Sequence, residues 1–358
     1  LPTNEPLLVA AALGAEAASQ GALRWRFLRR RGERFLARME EIARELDDPY
    51  TTAHAASVRA HNAFFCGRWR EALENGDREI DLLRLHCHGV SWELAVAQIF
   101  SLLALSFLGE MQSLRSRLDA ALVDAAERGD QFAIRNLHLG QHNFCKLASD
   151  EADDALERAE ALHREMPESR FEVQHYHHVV LVTQIHLYRG DPLAAWRTID
   201  GVWNRLKAAQ FLQLAFTGVE LTHLRARAAL ALANDPVSRQ ARRLNVPDGR
   251  ELVRIAERTA RSIRRSDAPP AAPFAAALEA GVAKLRGDEE QRVRCLAAAV
   301  DGFDRADMRL HAAAARWCEP HASSATIRGP DEGSPPSLDD RVVRPRAVAT
   351  TLLPSVAQ

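Results

Sequence analysis

Short breaks in an otherwise helical pattern of apolar residues recur along this chain at nearly constant spacing, and that periodicity limits the fold more than any single motif does. The breaks are Phe65-Cys66-Gly67-Arg68-Trp69, Leu108-Gly109-Glu110, Ala148-Ser149-Asp150, Tyr188-Arg189-Gly190-Asp191-Pro192, Ala233-Asn234-Asp235-Pro236 and Leu285-Arg286-Gly287-Asp288. With Gly67, Gly109, Asp150, Gly190, Asn234 and Gly287 as markers, the steps are 42, 41, 40, 44 and 53 residues. Gly, Asn and Asp suit a tight turn because a helix end often requires a positive φ, which these residues adopt at least cost. Pro192 and Pro236 fit the first turn of the helix that follows, where a missing N–H loses nothing.

Longer polar connections alternate with the tight turns: Asp47-Asp48-Pro49, His88-Gly89, Arg128-Gly129-Asp130, Met166-Pro167-Glu168-Ser169 and Ser266 to Pro273. Each unit therefore reads as helix, tight turn, helix. Five residues after the turn marker stand Ala72, Ala155 and Ala195, as in a tetratricopeptide repeat, where a small side chain lets two antiparallel helices approach. Leu114, Arg239 and Arg292 hold the same place in the other units, and the period exceeds the 34 residues of the standard repeat. Hairpins of this kind bury their apolar faces only by stacking on neighbours. The expected fold is all-α, a right-handed α-solenoid of tetratricopeptide-like hairpins with a period of about 40 residues over 1–317. It would carry a concave groove for a protein or peptide partner.

Composition agrees. Of 358 residues, 47% are hydrophobic but only 6% aromatic, which disfavours a β-sandwich or barrel and favours helices of Ala, Leu, Arg and Glu. With 47 Lys+Arg against 48 Asp+Glu there is no global field to attract nucleic acid or an anionic membrane. The five cysteines are scattered without a CxxC pair, which points to reduced thiols and a cytoplasmic setting. The longest apolar runs, Leu7 to Ala15 and Ile99 to Leu108, are half of the ~20 residues of a membrane helix. The chain begins at Leu1, which reads as a fragment of a longer product. After Trp317 the helical periodicity stops, so 318–358 is expected to be a disordered tail; a reading-frame slip near Cys318 would account for the change.

Six segments carry a resemblance beyond the period: Gly67-Arg68-Trp69-Arg70-Glu71-Ala72-Leu73, Gly89-Val90-Ser91-Trp92-Glu93-Leu94, Glu127-Arg128-Gly129-Asp130, Val173-Gln174-His175-Tyr176, Leu187-Tyr188-Arg189-Gly190-Asp191 and His223-Leu224-Arg225-Ala226-Arg227-Ala228-Ala229-Leu230. In that order they resemble the C-terminal tetratricopeptide-like region of large bacterial serine/threonine protein kinases, which carry a kinase domain and a signalling ATPase module ahead of helical repeats. The resemblance covers about residues 15 to 316. It implies a regulatory region that senses a ligand or partner and controls the upstream modules. The chain itself has no GxxxxGK[ST] loop and no HRD or DFG triplet, so the resemblance carries no kinase activity onto it.

His138, His142 and Cys145 fall at i, i+4 and i+7, and His175 and His178 at i and i+3, a pattern that could hold zinc or copper if adjacent helices brought the two sets together. His86-Cys87-His88 is weaker, since consecutive helical residues diverge. The bland reading, histidines each with an ordinary partner, is preferred, and no metal, cofactor or catalytic residue is assigned. Arg24, Arg26, Arg29, Arg30, Arg31, Arg34 and Arg38 form one basic cluster and Arg239 to Arg265 another, but Glu33, Glu40, Glu41 and Glu45 alternate with the first as ion pairs on a solvated face would. The rows Leu94-Ile99-Leu102-Leu105 and Leu114-Leu118-Leu122 read as core, and Trp69, Trp196 and Trp203 as fillers between hairpins. The leading expectation is a non-enzymatic interaction and signal-sensing region. The alternatives are the effector-binding solenoid of a transcriptional regulator and, third, a metal-binding protein or unrecognised enzyme.

Overall fold

The computed structural model describes residues 5–167, 169–319, 342–354 and 356. Among them the chain is all-α. Its helices are α1 (Pro6–Gly21), α2 (Arg26–Leu46), α3 (Pro49–Phe65), α4 (Trp69–His86), α5 (Ser91–Leu108), α6 (Met111–Glu127), α7 (Gln131–Leu137), α8 (Phe144–Ala148), α9 (Ala152–Arg164) and α10 (Val173–Tyr188). There follow α11 (Pro192–Gly201), α12 (Trp203–Ala208), α13 (Ala215–Asn234), α14 (Ala241–Leu244), α15 (Gly249–Ile263), α16 (Ala271–Arg286), α17 (Glu289–Arg305), α18 (Arg309–Trp317) and α19 (Pro345–Leu352).

The turn chemistry explains most boundaries. Gly67, Gly109, Asp150, Gly190 and Gly287 all have positive φ, between 60° and 77°, at the ends of their helices. Asn234 does not: α13 runs to it and ends on extended Asp235, and the left-handed residue comes later, at Asn245. A 3₁₀ turn at Pro236–Gln240 and the short α14 lie in between, which is why that step of the period is longer. Asp48, Asp130, Asp191, Asp248 and Asp288 cap α3, α7, α11, α15 and α17, each accepting a backbone N–H of the first turn. Ala72, Ala155 and Ala195 are buried at the close approaches expected of them.

Helices alternate in character. α5, α10, α13 and α16 are buried around most of their circumference, whereas α2, α4, α9 and α15 bury one stripe and leave the rest to charged residues. α5 is long and apolar enough to cross a membrane by length and composition, and 67% of it is buried inside the protein. The predicted core rows hold: Ile99, Leu102, Leu105, Leu114 and Leu118 are buried, as are Trp69, Trp196 and Trp203.

The inner helices are buried because the chain returns upon itself. Backbone bonds join Arg24 N–H to Gln213 O at 3.0 Å and Ala215 N–H to Ala22 O at 2.8 Å. Gly67 lies against Pro270, Gly109 against Leu310, and Val343 N–H donates to Ala148 O at 2.9 Å. Arg29 pairs with Asp267, and Arg70 with both Glu110 and Asp307, at 2.9 and 2.6 Å. The pairs Leu23–Leu214, Gly67–Pro270, Gly109–Leu310 and Ala148–Val343 lie 191, 203, 201 and 195 residues apart. A segment thus meets the one about five forty-residue units later. The faces that an open stack would leave as a groove are covered, as where Phe107 of α5 meets Phe216 of α13 with ring centroids 4.8 Å apart.

Two glycines isolate the contribution of this return contact. A Cβ on Gly109 would stand 2.5 Å from the Leu310 backbone nitrogen, whereas one on Gly190, at the same kind of turn and with φ 73° against 77°, would meet nothing within 4 Å. Both Ala variants carry the left-handed strain, about 1–2 kcal/mol. Gly109→Ala adds a backbone clash and should cost about 3 kcal/mol in all. Urea unfolding of the two variants checks it; equal losses would mean that the two segments are not in contact.

The tail departs from expectation. Residues 320–341 lie outside the described residues, but α19 is ordered and packs on α8, α10 and α18. Val348, Ala349, Leu352, Leu353 and Val356 are buried, a helical stripe too short to stand out amid polar neighbours in the sequence. The buried Arg227 guanidinium donates to Thr351 O at 2.5 Å, and Lys284 donates to Val356 O at 3.3 Å.

Candidate functional site

The histidines and cysteine singled out by spacing do not converge. Gly140, at φ 91°, breaks the expected continuous helix, so His138 follows α7, His142 sits in a 3₁₀ turn and Cys145 begins α8. His142 is wholly buried, its Nε2 3.1 Å from Leu137 O, and Cys145 Sγ lies 3.3 Å from His142 O. His175 Nδ1 accepts the Glu172 N–H at 3.1 Å, while His178 stacks on His163 and stands 3.4 Å from Glu160. His86, Cys87 and His88 lie at the open end of α4. Among the described residues no group of three or more His, Cys, Asp or Glu is placed to hold a metal ion. All five cysteines are free thiols. The first basic cluster is spent partly on ion pairs, Arg26 and Arg29 with Asp267 and Arg38 with Glu41.

The site that geometry favours lies elsewhere, in a cavity of about 260 Å³ between α3, α4 and α5, with Ala18 of α1 on one wall. α4 supplies Glu79. Its buried stripe runs Trp69, Ala72, Leu73, Gly76, Glu79, Leu83, so a carboxyl occupies a position whose neighbours one turn either way are core. Gly76 lets α4 approach α5: a Cβ there would stand 2.5 Å from Ser101 Oγ. Glu79 is 3% exposed, and its Oε2 has no hydrogen-bond partner. Unpaired buried carboxyls are costly in the charged form. Burial accordingly pushes Glu79 up to about 8, against a hydrogen bond from Ser57 that pulls it down and the Glu93 charge that adds to the rise.

α3 lines the opposite wall with Tyr50, His54, Ser57 and His61, and α5 contributes Trp92, Glu93 and Val96. Tyr50 hydroxyl donates to Glu93 at 3.1 Å. Burial lowers the pKa of both His54 and His61, holding the rings neutral near pH 7. Ser57, His61 and Glu79 have the residue types of a hydrolytic triad but not its bonding. His61 Nδ1 lies 2.6 Å from its own turn's Ser57 carbonyl and only 3.4 Å from Ser57 Oγ, so Nδ1 carries its proton towards the carbonyl and is no base for the hydroxyl. What the cavity offers is recognition: an apolar pocket with a few convergent polar groups and an exposed Trp92 at its mouth. Sequence reasoning passed over it. The available signal was an acidic residue set into the apolar stripe of α4.

Because Glu79 keeps its proton when folded and sheds it when unfolded, stability should fall as pH rises from about 4.5 to about 8 and level off above. Glu79→Gln removes that penalty and should be the more stable protein at pH 8, by about 2–4 kcal/mol. Urea midpoints of both proteins at pH 6 and 8 measure it; parallel pH dependence would show that Glu79 is not held protonated.

Comparison with protein-family models, with curated proteins and with solved structures gives no match for this chain.

Proposed function

We propose that this chain is a non-enzymatic helical-repeat sensing region: a right-handed superhelix of tetratricopeptide-like hairpins, about forty residues each, that binds a small effector and passes the binding event to a protein partner. The observation that carries the reading is the cavity beside Glu79, where a buried carboxyl with an unpaired oxygen faces open space. A stability optimum would not place it there, since an apolar residue of similar volume satisfies the same stripe at less cost; a ligand supplies the missing partner. The position of the cavity favours signalling, because α3 and α4, which form it, also carry the return contacts Gly67–Pro270 and Arg70–Asp307. Tightening the α3–α4 hairpin on a ligand alters the spacing to α16 and α17.

The resemblance of the six repeat segments to the region behind kinase and ATPase modules makes such modules, or a peptide, the proposed receivers of the signal, in the cytoplasm and without nucleic acid or membrane. The test is a thermal-shift screen of a small-metabolite library against the full chain and against Val96→Phe, which fills the cavity. The reading expects compounds that raise the melting temperature of the first and not of the second. A library without such a compound, or compounds acting equally on both, would overturn it.

A further inference from the structure

We infer that the cavity between α3, α4 and α5 binds a small organic ammonium ion, with Glu79 as its counter-ion and Trp92 and Tyr50 as the aromatic faces at its entrance. The inference rests on the reading that this cavity is an effector site and names the chemistry of the effector. Three independent features lead to it.

The first is charge. Every ionisable side chain on the wall is acidic or neutral: Glu79 on α4, Glu93 on α5, and Tyr50, His54 and His61 on α3, with only Ala18 from α1. No Lys or Arg lines the cavity, although the chain as a whole balances 47 basic against 48 acidic residues. An anionic ligand would meet two carboxyls and no cation, and a neutral one would leave Glu79 Oε2 unpaired. A cation satisfies it. The second feature is the aromatic rim. Trp92 is 62% exposed and Tyr50 44%, and large rings held in water at a cavity mouth are costly unless they cover something. A ring face within about 6 Å attracts an ammonium group, most strongly when the site is partly desolvated. The third is size. At about 260 Å³ the space falls just short of the ~300–1,000 Å³ of sites for drug-sized ligands, so it suits an ammonium ion of a few heavy atoms and not a peptide. A bare metal ion is a poorer fit, since the wall does not bring together three ligating groups among the described residues.

Binding is coupled to a proton. Below about pH 8 the empty site is neutral because burial holds the proton on Glu79, and an arriving cation displaces that proton to solvent. Affinity therefore rises with pH towards 8, by up to about tenfold per unit, and then levels off. The two neighbouring histidines are neutral over that range and do not oppose the cation.

The experiment is isothermal titration of the full chain with methylammonium, ethanolamine, putrescine and choline, alongside 3,3-dimethylbutan-1-ol, the uncharged analogue of choline. Each titration is made at pH 6, 7 and 8 in two buffers of different ionisation enthalpy. The expected result is one-to-one binding of at least one ammonium ion, at least a hundredfold weaker binding of the uncharged analogue, and release of about one proton at pH 6 and 7. Glu79→Gln, expected to fold at least as well as the natural chain, should lose the affinity by about a hundredfold, and Trp92→Ala by about tenfold. Equal binding of the uncharged analogue, affinity indifferent to Glu79→Gln, or no ammonium ion binding with a Kd below about 10 mM would overturn the inference. A neutral compound found by the thermal-shift screen and blocked by Val96→Phe would leave the sensing reading standing while overturning the ammonium assignment.

Discussion

Acidified from pH 6.5 to pH 4.5, the protein is expected to lose most of its stability and to take up several protons as it unfolds. The cause is an unusual number of histidines held neutral by burial. His138 and His142 are pulled down to about 4, and His177, His178 and His311 to about 3; His223 is also well below its ordinary value. A histidine whose folded pKa is depressed contributes stability that is present above the unfolded pKa, about 6.5, and lost as pH falls through the folded one. Burial is the first cause in every case, and the neighbourhood reinforces it: His311 and His223 both face the buried Arg227, and His177 faces His142.

Two carboxyls oppose the trend. Glu79 and Glu220, raised to about 8 and about 7, make stability rise as pH falls towards 4.5. Six histidines against two carboxyls leave a net uptake of about four protons, or up to about 5 kcal/mol per pH unit at the steepest. Above 6.5 only the carboxyls act, so the stability maximum should lie near pH 6 to 6.5. Urea midpoints measured from pH 4.5 to 8.5 check the whole curve. A profile that is flat between pH 7 and 5 would mean that these histidines titrate freely.

The second large effect is expected at Trp69. It is 1% exposed and stacks on Phe107 at 4.5 Å, with Phe64 and Phe216 edge-on at 5.5 and 4.6 Å. These rings come from α3, α5 and α13, so one indole joins the first hairpins to a helix about 150 residues later. Trp69→Ala removes the filler of a site whose walls belong to separate elements and cannot collapse together. It should cost about 3–5 kcal/mol, whereas Trp92→Ala, on the exposed rim of the cavity, should change stability by no more than about 0.5 kcal/mol. Chemical denaturation of the two variants separates a core tryptophan from a ligand-facing one. Similar small losses in both would remove the aromatic cluster from the account of the fold.

Local signals made much of this legible from residue order. Positive φ at Gly67, Gly109, Asp150, Gly190 and Gly287, and caps at Asp48, Asp130 and Asp191, follow from turn and capping chemistry confined to four or five residues. What stayed hidden depends on residues far apart. The placement of Gly109 against Leu310 is set by the accumulated rotation of about five hairpins, which no window of sequence contains. α19 gave no signal because its apolar stripe is short and its stabilisation comes from Arg227, Lys284 and α10, more than 60 residues upstream. The helix assumed to hold His138, His142 and Cys145 is broken at Gly140, whose missing side chain makes room for the His177 ring. The cavity was missed for a different reason. Its residues lie on three helices with no motif spacing between them, and only Glu79 within the α4 stripe marked the place.

The central claim is that the chain winds back so that early and late hairpins touch, closing the surface of an open stack and leaving a small internal cavity as the place where a signal enters. Small-angle scattering of the purified protein tests it most directly. The account predicts a radius of gyration of about 21 Å, the value for a compact chain of 358 residues. A value about half as large again would describe an open rod of stacked hairpins, and would contradict both the return contacts and the site built upon them.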